Sequence, residues 1–318
     1  MFKAVVFAYS EVGVRCLRAL IEHGVEVCLV FTHEDSVTEN AWFGSVAKLA
    51  AEHAIEVVTP SDPNADAWVA RVRAAAPDYI FSFYYRSLLD QSLLACARWG
   101  ALNMHGSLLP KYRGRACVNW AILNGETQTG ATLHYMIAKP DAGAIVAQEA
   151  VPIGIDDTAL TVSVAVAEAA ARLLAHWLPA LAAGPPPGRP MILSKGSYFG
   201  GRAPEDGRID WSWPAARIHA LIRAVAPPFP GAFTDVGSQR LLFAGSHWVG
   251  EPSKLPQLAP CLYVDDALLY LDCSDGLRLR ITAVTLASER LDPQAFKHLY
   301  AGTALAFSSL PSKRKLQL

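Results

Sequence analysis

The sequence lacks several patterns that mark common classes of protein. None of its six cysteines forms a C-x-x-C pair, so neither a zinc site nor a disulfide framework is indicated. Its formal net charge is only −1, whereas proteins that grip nucleic acid cluster lysine and arginine. The longest apolar helix candidate, residues 159–183, is interrupted by Glu168, Arg172 and His176, so we predict no membrane insertion.

Motifs of several enzyme classes are also missing. The first β-to-α connection, residues 7–13, reads Phe-Ala-Tyr-Ser-Glu-Val-Gly and has no G-x-G-x-x-G phosphate cradle. The chain has no P-loop, no H-E-x-x-H and no G-x-S-x-G. These absences disfavour dinucleotide-dependent enzymes, P-loop ATPases, metalloproteases and serine hydrolases, and no metal site is predicted.

What is present indicates a globular protein of two domains. With 318 residues, 52% of them hydrophobic, the chain can bury one large core and one smaller core. The N-terminal residues enter a strand-like run directly, without the regions of a signal peptide, so we expect a cytoplasmic protein. The sequence leaves the oligomeric state open.

The hydrophobic pattern of the N-terminal part alternates between strands and helices. Because the strand-like runs are continuously apolar, we predict a Rossmann-like α/β domain with a doubly wound, mostly parallel sheet. Predicted strands cover residues 3–8, 25–31, 55–58, 79–83, 101–104, 131–136 and 144–151, and predicted helices cover residues 12–21, 43–52, 65–75, 118–123 and 158–181.

A proline- and glycine-rich stretch, residues 184–190, has the clearest linker composition in the chain. Beyond it, short strand-like runs at residues 240–243, 262–264, 267–271 and 277–284 accompany one helix at residues 215–224. We therefore predict a catalytic domain at residues 1–190, a linker at 191–203 and a small β-rich, OB-like barrel domain at 204–318.

Residues 103–115, Asn-Met-His-Gly-Ser-Leu-Leu-Pro-Lys-Tyr-Arg-Gly-Arg, form the segment most typical of a catalytic site. Side chains two apart on a strand share a face, so Asn103 and His105 should point into one space. A histidine is more often structural than catalytic, but this one ends a strand before a Gly- and Pro-rich loop, where open α/β sheets place ligands. Arg113 and Arg115 suit either solvent or an anionic ligand.

Asp141 lies in a Pro-Asp-Ala-Gly turn, where aspartate is usually a turn-former. Together with Asn103 and with residues 105–110, His-Gly-Ser-Leu-Leu-Pro, this turn resembles the signature of the folate-dependent formyltransferase family. The similarity extends over most of residues 1 to about 245, and within the family it is greatest to enzymes that formylate UDP-4-amino-4-deoxy-L-arabinose. It is carried by residues 31–35, 44–46, 81–86, 109–115, 124–127, 141–148 and 230–233.

The resemblance implies a reaction and a set of roles. The formyl donor would be 10-formyltetrahydrofolate, and Asn103, His105 and Asp141 would form the catalytic triad. Asn103 would donate to the developing oxyanion, His105 would move a proton between the attacking amine and N10, and Asp141 would favour the charged imidazole. The folate pocket would be lined by Ser87, Leu88, Leu89, Arg115, Ile137, Ala138, Lys139, Pro140 and Asp141.

The acceptor implied by the resemblance is the 4-amino group of UDP-4-amino-4-deoxy-L-arabinose, a step of lipid A modification in polymyxin resistance. Some such enzymes carry an NAD-dependent decarboxylase domain, for which 318 residues leave no room, so we expect a stand-alone transferase. Methionyl-tRNA formyltransferase, formylation of another aminosugar nucleotide, and a folate-binding regulatory protein are the alternatives. Residues 34–42 are net acidic, which disfavours tRNA.

Overall fold

The computed structural model describes residues 2–35 and 42–308, which form two compact units. Within these residues, the first unit comprises 2–118, 128–152 and 161–201, and the second comprises 119–127, 153–160 and 202–308. The second unit thus includes two segments from inside the range predicted for the catalytic domain. Residues 36–41, most of the acidic stretch that disfavours tRNA, lie outside the described residues.

The first unit is built on a seven-stranded sheet of order β3-β2-β1-β4-β5-β7-β8. Strands β3, β2, β1, β4 and β5 are parallel, and β7 and β8 continue the sheet in antiparallel fashion. This mixed, mainly parallel sheet confirms the predicted Rossmann-like class. The strands are β1 (Lys3–Ala8), β2 (Glu26–Phe31), β3 (Val57–Val58), β4 (Tyr79–Phe83), β5 (Gly100–His105), β6 (Arg113–Gly114), β7 (Gln128–Tyr135), β8 (Ile145–Pro152) and β9 (Tyr198–Phe199).

Helices flank this sheet, and apolar residues of both contribute to the core. Phe7 and Phe31 stack with centroids 4.3 Å apart, and both are fully buried. Two-residue strands β6 and β9 pair with each other outside the main sheet. The helices of this unit are α1 (Ser10–Glu22), α2 (Val46–Glu52), α3 (Asp66–Ala75), α4 (Gln91–Leu94) and α6 (Ala159–Ala183), whereas α5 (Cys117–Leu123) lies mostly in the second unit.

The second unit is an antiparallel sheet packed against helix α7, which confirms the predicted β-rich domain. The sheet runs β10-β11-β14-β13-β12-β16, with β15 paired to β14. Its core includes Trp211, Ile218, Leu241 and Phe243, all buried. The elements are α7 (Ala215–Ala224), β10 (Ala232–Val236), β11 (Gln239–Pro252), β12 (Cys261–Asp265), β13 (Leu268–Asp272), β14 (Leu277–Leu286), β15 (Glu289–Arg290), α8 (Pro293–Leu299) and β16 (Leu305–Ala306).

Several element boundaries differ from the sequence-based predictions. Helix α2 begins at Val46 rather than at residue 43, because the Ser45 side chain caps it by accepting from the Lys48 N–H at 3.1 Å. Strand β11 extends far beyond the predicted residues 240–243, since its exposed face carries polar side chains that weaken the apolar signal. Short elements such as β10 and α8 give too little periodicity to be predicted.

Helix α6 has the length and apolar composition that a membrane span requires. A helix in the core of a globular protein has the same properties. In this chain Ala167, Ala170, Leu174 and Leu178 are buried, and their three- and four-residue spacing places them on one face. Composition alone is therefore weak support for a membrane span.

Candidate active site

Asn103 and His105 lie on β5, between β4 and β7, at the end where the parallel strands terminate. Because strand side chains alternate, the two residues share a face, as the sequence predicts. His105 is 6% exposed, and Asn103 is half-buried. The same edge of the sheet carries the residues that follow β1, β2 and β4.

Both ring nitrogens of His105 face acceptors. Nε2 lies 2.8 Å from the Tyr112 carbonyl oxygen, and a carbonyl only accepts, so Nε2 carries a hydrogen. Nδ1 lies 3.5 Å from Asp141 Oδ1, an ion-pair contact longer than an ordinary hydrogen bond. The protonated ring can therefore donate towards both partners, whereas the neutral ring has a hydrogen for only one of them. This is the arrangement that a proton carrier needs.

Asp141 belongs to the connection between β7 and β8 and has a left-handed backbone, with φ +49. Aspartate tolerates this conformation better than most residues. Its Oδ2 accepts the backbone N–H of Gly114 at 2.9 Å, which leaves Oδ1 facing His105. The structure therefore brings together all three residues of the predicted triad, although Asp141 is distant from the other two in sequence.

The loop between β5 and β6 is shaped by buried hydroxyl groups. Thr132 Oγ1 donates to the Ser107 carbonyl at 2.6 Å and accepts the Leu109 N–H at 3.2 Å. Ser107 Oγ donates to the Lys111 carbonyl at 2.7 Å. These bonds fix the path of the loop, so the Tyr112 carbonyl is held against His105.

His134 is a site residue that the sequence analysis missed. It lies on β7 directly opposite Asn103, and its Nε2 is 3.0 Å from Asn103 Nδ2 and 3.8 Å from Asp141 Oδ1. Burial, reinforced by nearby His105, lowers the pKa of His134 to about 4. Strand alternation places His134 on the face of Thr132, but only the pairing of β7 with β5 brings it to Asn103.

The residues predicted to bind folate come from three segments around β5. Ser87, Leu88 and Leu89 follow β4, whose Phe83 pairs with Met104 of β5. Arg115 follows Gly114, and its N–H donates to the Phe199 carbonyl at 3.0 Å. Residues 137–141 lie in the connection between β7 and β8 and end at Asp141.

Two of the side chains in these segments, Leu88 (69% exposed) and Ile137 (49% exposed), are large and apolar. Exposed apolar side chains of this size are available to a flat ligand.

A second group, which we call the aromatic shelf, consists of Tyr9, His33, Tyr85 and Arg86. These residues follow the carboxyl ends of β1, β2 and β4. The His33 and Tyr85 rings stack with centroids 4.3 Å apart, and the Arg86 guanidinium lies 4.4 Å from the centre of the Tyr9 ring. Strand order changes direction around β1, where open α/β sheets bind ligands.

Several solved structures have a similar fold. The N-formyltransferase of Helicobacter canadensis, in complex with folinic acid and dTDP-3-aminofucose, is 19% identical with TM-score 0.67, over 89% of this chain and 99% of that chain. WlaRD, a sugar 3N-formyltransferase with dTDP and 5-N-formyl-THF, is 19% identical with TM-score 0.65, over 89% and 97%. A 4-N formyltransferase from Francisella tularensis is 20% identical with TM-score 0.60, over 73% and 91%.

Family sequence models match both parts of the chain. The formyl transferase model covers residues 3–178, and the model of the formyl transferase C-terminal domain covers residues 202–298. The first of these matches contains Asn103, His105 and Asp141. The chain therefore belongs to the formyl transferase family, and it is a formyltransferase.

Proposed function

We propose that this enzyme transfers a formyl group from 10-formyltetrahydrofolate to the amino group of a nucleotide-linked aminosugar, with UDP-4-amino-4-deoxy-L-arabinose as the acceptor. The observation that carries the proposal is the convergence of Asn103, His105 and Asp141, with His105 Nδ1 3.5 Å from Asp141 Oδ1. The structures with similar folds bind folate derivatives and dTDP or a dTDP-aminosugar. The choice of the UDP-linked sugar rests on the resemblance of the sequence.

The roles follow from the chemistry of each side chain. The acceptor amine forms a bond to the formyl carbon, and the formyl oxygen gains negative charge that an Nδ2–H of Asn103 stabilises. His105 accepts a proton from the attacking nitrogen and returns one to the departing N10 nitrogen as its bond to carbon breaks. Asp141 faces Nδ1 and favours the charged imidazole between these two transfers.

The substrates would occupy the carboxyl edge of the sheet. We place the folate against Ser87, Leu88 and Leu89, against Arg115, and against residues 137–141. The exposed apolar side chains of Leu88 and Ile137 suit its flat rings. The aromatic shelf supports the nucleotide, because its rings can stack on uracil while Arg86 pairs with the diphosphate. A UDP-linked 4-aminosugar would place the enzyme in the modification of lipid A that confers polymyxin resistance.

The test of this proposal is a formyl-transfer assay with 10-formyltetrahydrofolate and a panel of acceptors. The panel contains UDP-4-amino-4-deoxy-L-arabinose, a dTDP-linked 3-aminosugar and charged initiator tRNA. We expect product only with sugar nucleotides and the highest kcat/KM with the UDP-linked 4-aminosugar. Preference for the tRNA would overturn the acceptor class, and preference for the dTDP sugar would overturn the choice of nucleotide.

The same assay tests the triad. Asn103→Ala, His105→Ala and Asp141→Ala should each lower kcat by about a hundredfold or more, because they remove the oxyanion donor, the proton carrier and the carboxylate that faces it. His53→Ala is the matched control, since His53 is an exposed histidine at the end of α2. Unchanged turnover in all three triad variants would refute these roles.

A further inference from the structure

His134 stands outside the triad but contacts the side chain proposed to hold the oxyanion. It is 1% exposed and lies opposite Asn103 in the register of β5 and β7. Both of its ring nitrogens have polar neighbours: the Tyr135 carbonyl oxygen at 2.8 Å from Nδ1 and the Asn103 amide nitrogen at 3.0 Å from Nε2. A buried imidazole with two partners of different kinds has a defined tautomer.

The partner of Nδ1 decides that tautomer. A backbone carbonyl accepts hydrogen bonds and donates none, so the hydrogen of a neutral His134 ring lies on Nδ1. Nε2 then carries a lone pair and is an acceptor. The group that faces it must donate, and only the nitrogen end of the Asn103 amide can do so.

The orientation of the Asn103 amide follows from this constraint. If the amide were turned by half a rotation, Oδ1 would face the lone pair of the buried Nε2, and two acceptors would be opposed without a hydrogen. With Nδ2 towards His134, one amide hydrogen is bound by the histidine. The second amide hydrogen remains for another acceptor.

We propose that His134 is a positioning residue that holds the Asn103 amide with its nitrogen towards the reacting formyl oxygen. The histidine touches no reacting atom in this scheme and acts only through Asn103. The inference rests on the proposed role of Asn103 in formyl transfer. It adds a fourth side chain to the three implied by the sequence.

Burial keeps His134 in the neutral state that this role requires. Asp141 Oδ1, 3.8 Å from Nε2, favours a charged ring, whereas burial and the neighbouring His105 oppose it. Burial is the largest of these effects, and the pKa of His134 falls to about 4. At neutral pH the ring is therefore uncharged, and Nε2 remains an acceptor.

Two substitutions of His134 distinguish the role of Nε2, which accepts from Asn103, from the role of Nδ1, which donates to the Tyr135 carbonyl. In His134→Gln, the terminal amide occupies the position of Nε2 and offers an oxygen to Asn103. In His134→Asn, the amide occupies the position of Nδ1 and can donate to the Tyr135 carbonyl, but it leaves Asn103 without an acceptor. The two variants are polar and uncharged, so they form a matched pair.

Steady-state kinetics with 10-formyltetrahydrofolate and the aminosugar nucleotide give the first readout. We expect His134→Asn to lower kcat by about ten- to a hundredfold with KM nearly unchanged, part of the loss seen when an oxyanion donor is removed. His134→Gln should recover most of that loss. In the Asn103→Ala background, His134→Asn should have no further effect on kcat, because the histidine acts through Asn103. Equal effects of Gln and Asn, or a full additional loss in the double variant, would overturn the proposal.

A second measurement does not depend on the acceptor. Long-range ¹H–¹⁵N correlation spectra of protein labelled on its histidine rings distinguish a protonated Nδ1 from a protonated Nε2, and His134→Gln assigns the signal. We expect a neutral ring protonated at Nδ1 at pH 7, and a ring protonated at Nε2 would refute the inference. This result stands even if no aminosugar is formylated, so it separates the failure of this inference from the failure of the proposed function.

Discussion

The backbone N–H of Gly114 donates a 2.9 Å hydrogen bond to Oδ2 of Asp141. This bond joins β6 to the connection between β7 and β8, which carries Asp141. Gly114 has φ +95, and a Cβ at this position would lie 2.2 Å from the Phe199 carbonyl oxygen. Glycine is therefore required by both backbone conformation and space.

We expect Gly114→Ala to displace the loop from Asp141 and to lower kcat by tenfold or more. The matched control is Gly125→Ala, because Gly125 also has a positive φ, +72, but a Cβ there meets nothing within 4 Å. Both variants carry backbone strain of roughly 1 kcal/mol. Assays of kcat together with thermal unfolding would separate the effects, and equal kcat losses would contradict the proposed link.

Removing only the charge of Asp141 tests its electrostatic role. Asp141→Asn retains an oxygen that can accept from Gly114, so we expect the fold to survive. The kcat should fall by about a hundredfold, because a neutral amide no longer favours the charged form of His105. A near-normal kcat over pH 6 to 9 would show that the reaction does not need the negative charge of Asp141.

In the proposed function, Arg86 binds the diphosphate of the acceptor. We expect Arg86→Ala to raise the KM for the sugar nucleotide by about tenfold, as expected for the loss of a charge-assisted contact, and to change the KM for the folate little. Arg98→Ala is the control, since Arg98 also lies over an aromatic ring, Trp99, at 5.3 Å. Equal KM values for the acceptor in the two variants would argue against this placement.

Stability should depend on pH through His219 in the second unit. This histidine is 1% exposed, with Nε2 2.8 Å from the Ile155 carbonyl and Nδ1 2.8 Å from Ser246 Oγ. Burial is the main reason that its pKa falls to about 4, and Arg223 acts in the same direction. An unfolded histidine has a pKa of about 6.5, so between these values the unfolded chain binds more protons than the folded chain.

The contribution of His219 to the free energy of unfolding is therefore complete above pH 6.5 and declines as pH falls towards 4, by at most about 1.4 kcal/mol per pH unit. His219→Gln can still donate to the Ile155 carbonyl but does not titrate. In urea titrations from pH 4.5 to 7.5 we expect the variant to have a shallower pH dependence than the unsubstituted protein. Identical slopes would refute the assignment.

Much of the fold could be predicted from local patterns. The bounds predicted for β1, β4 and α7 agree with the structure, because buried parallel strands are continuously apolar and an amphipathic helix has a clear period. The bounds of strands at the edge of a sheet were less predictable. Strand β3 is confined to Val57–Val58, since an outer strand pairs on one side and receives less support from its neighbours.

The candidate site was likewise predicted from the sequence only in part. The spacing of Asn103 and His105 on a strand was sufficient to place them on one face, because alternation is a property of the backbone. The resemblance to a family supplied Asp141 as their partner. His134 carried no local signal, because its neighbour Asn103 lies on another strand, and nothing in the sequence indicated that the residues of the aromatic shelf contact one another.

The sequence by itself determined the fold class and the pairing of an amide with an imidazole at a strand end, because both depend on periodicity along a single segment. Only the tertiary structure decided which groups face them. The antiparallel register of β5 and β7 sets His134 against Asn103, and the Gly114 hydrogen bond holds Asp141 beside His105. Contacts between distant segments depend on register and close packing, which no single stretch of sequence specifies.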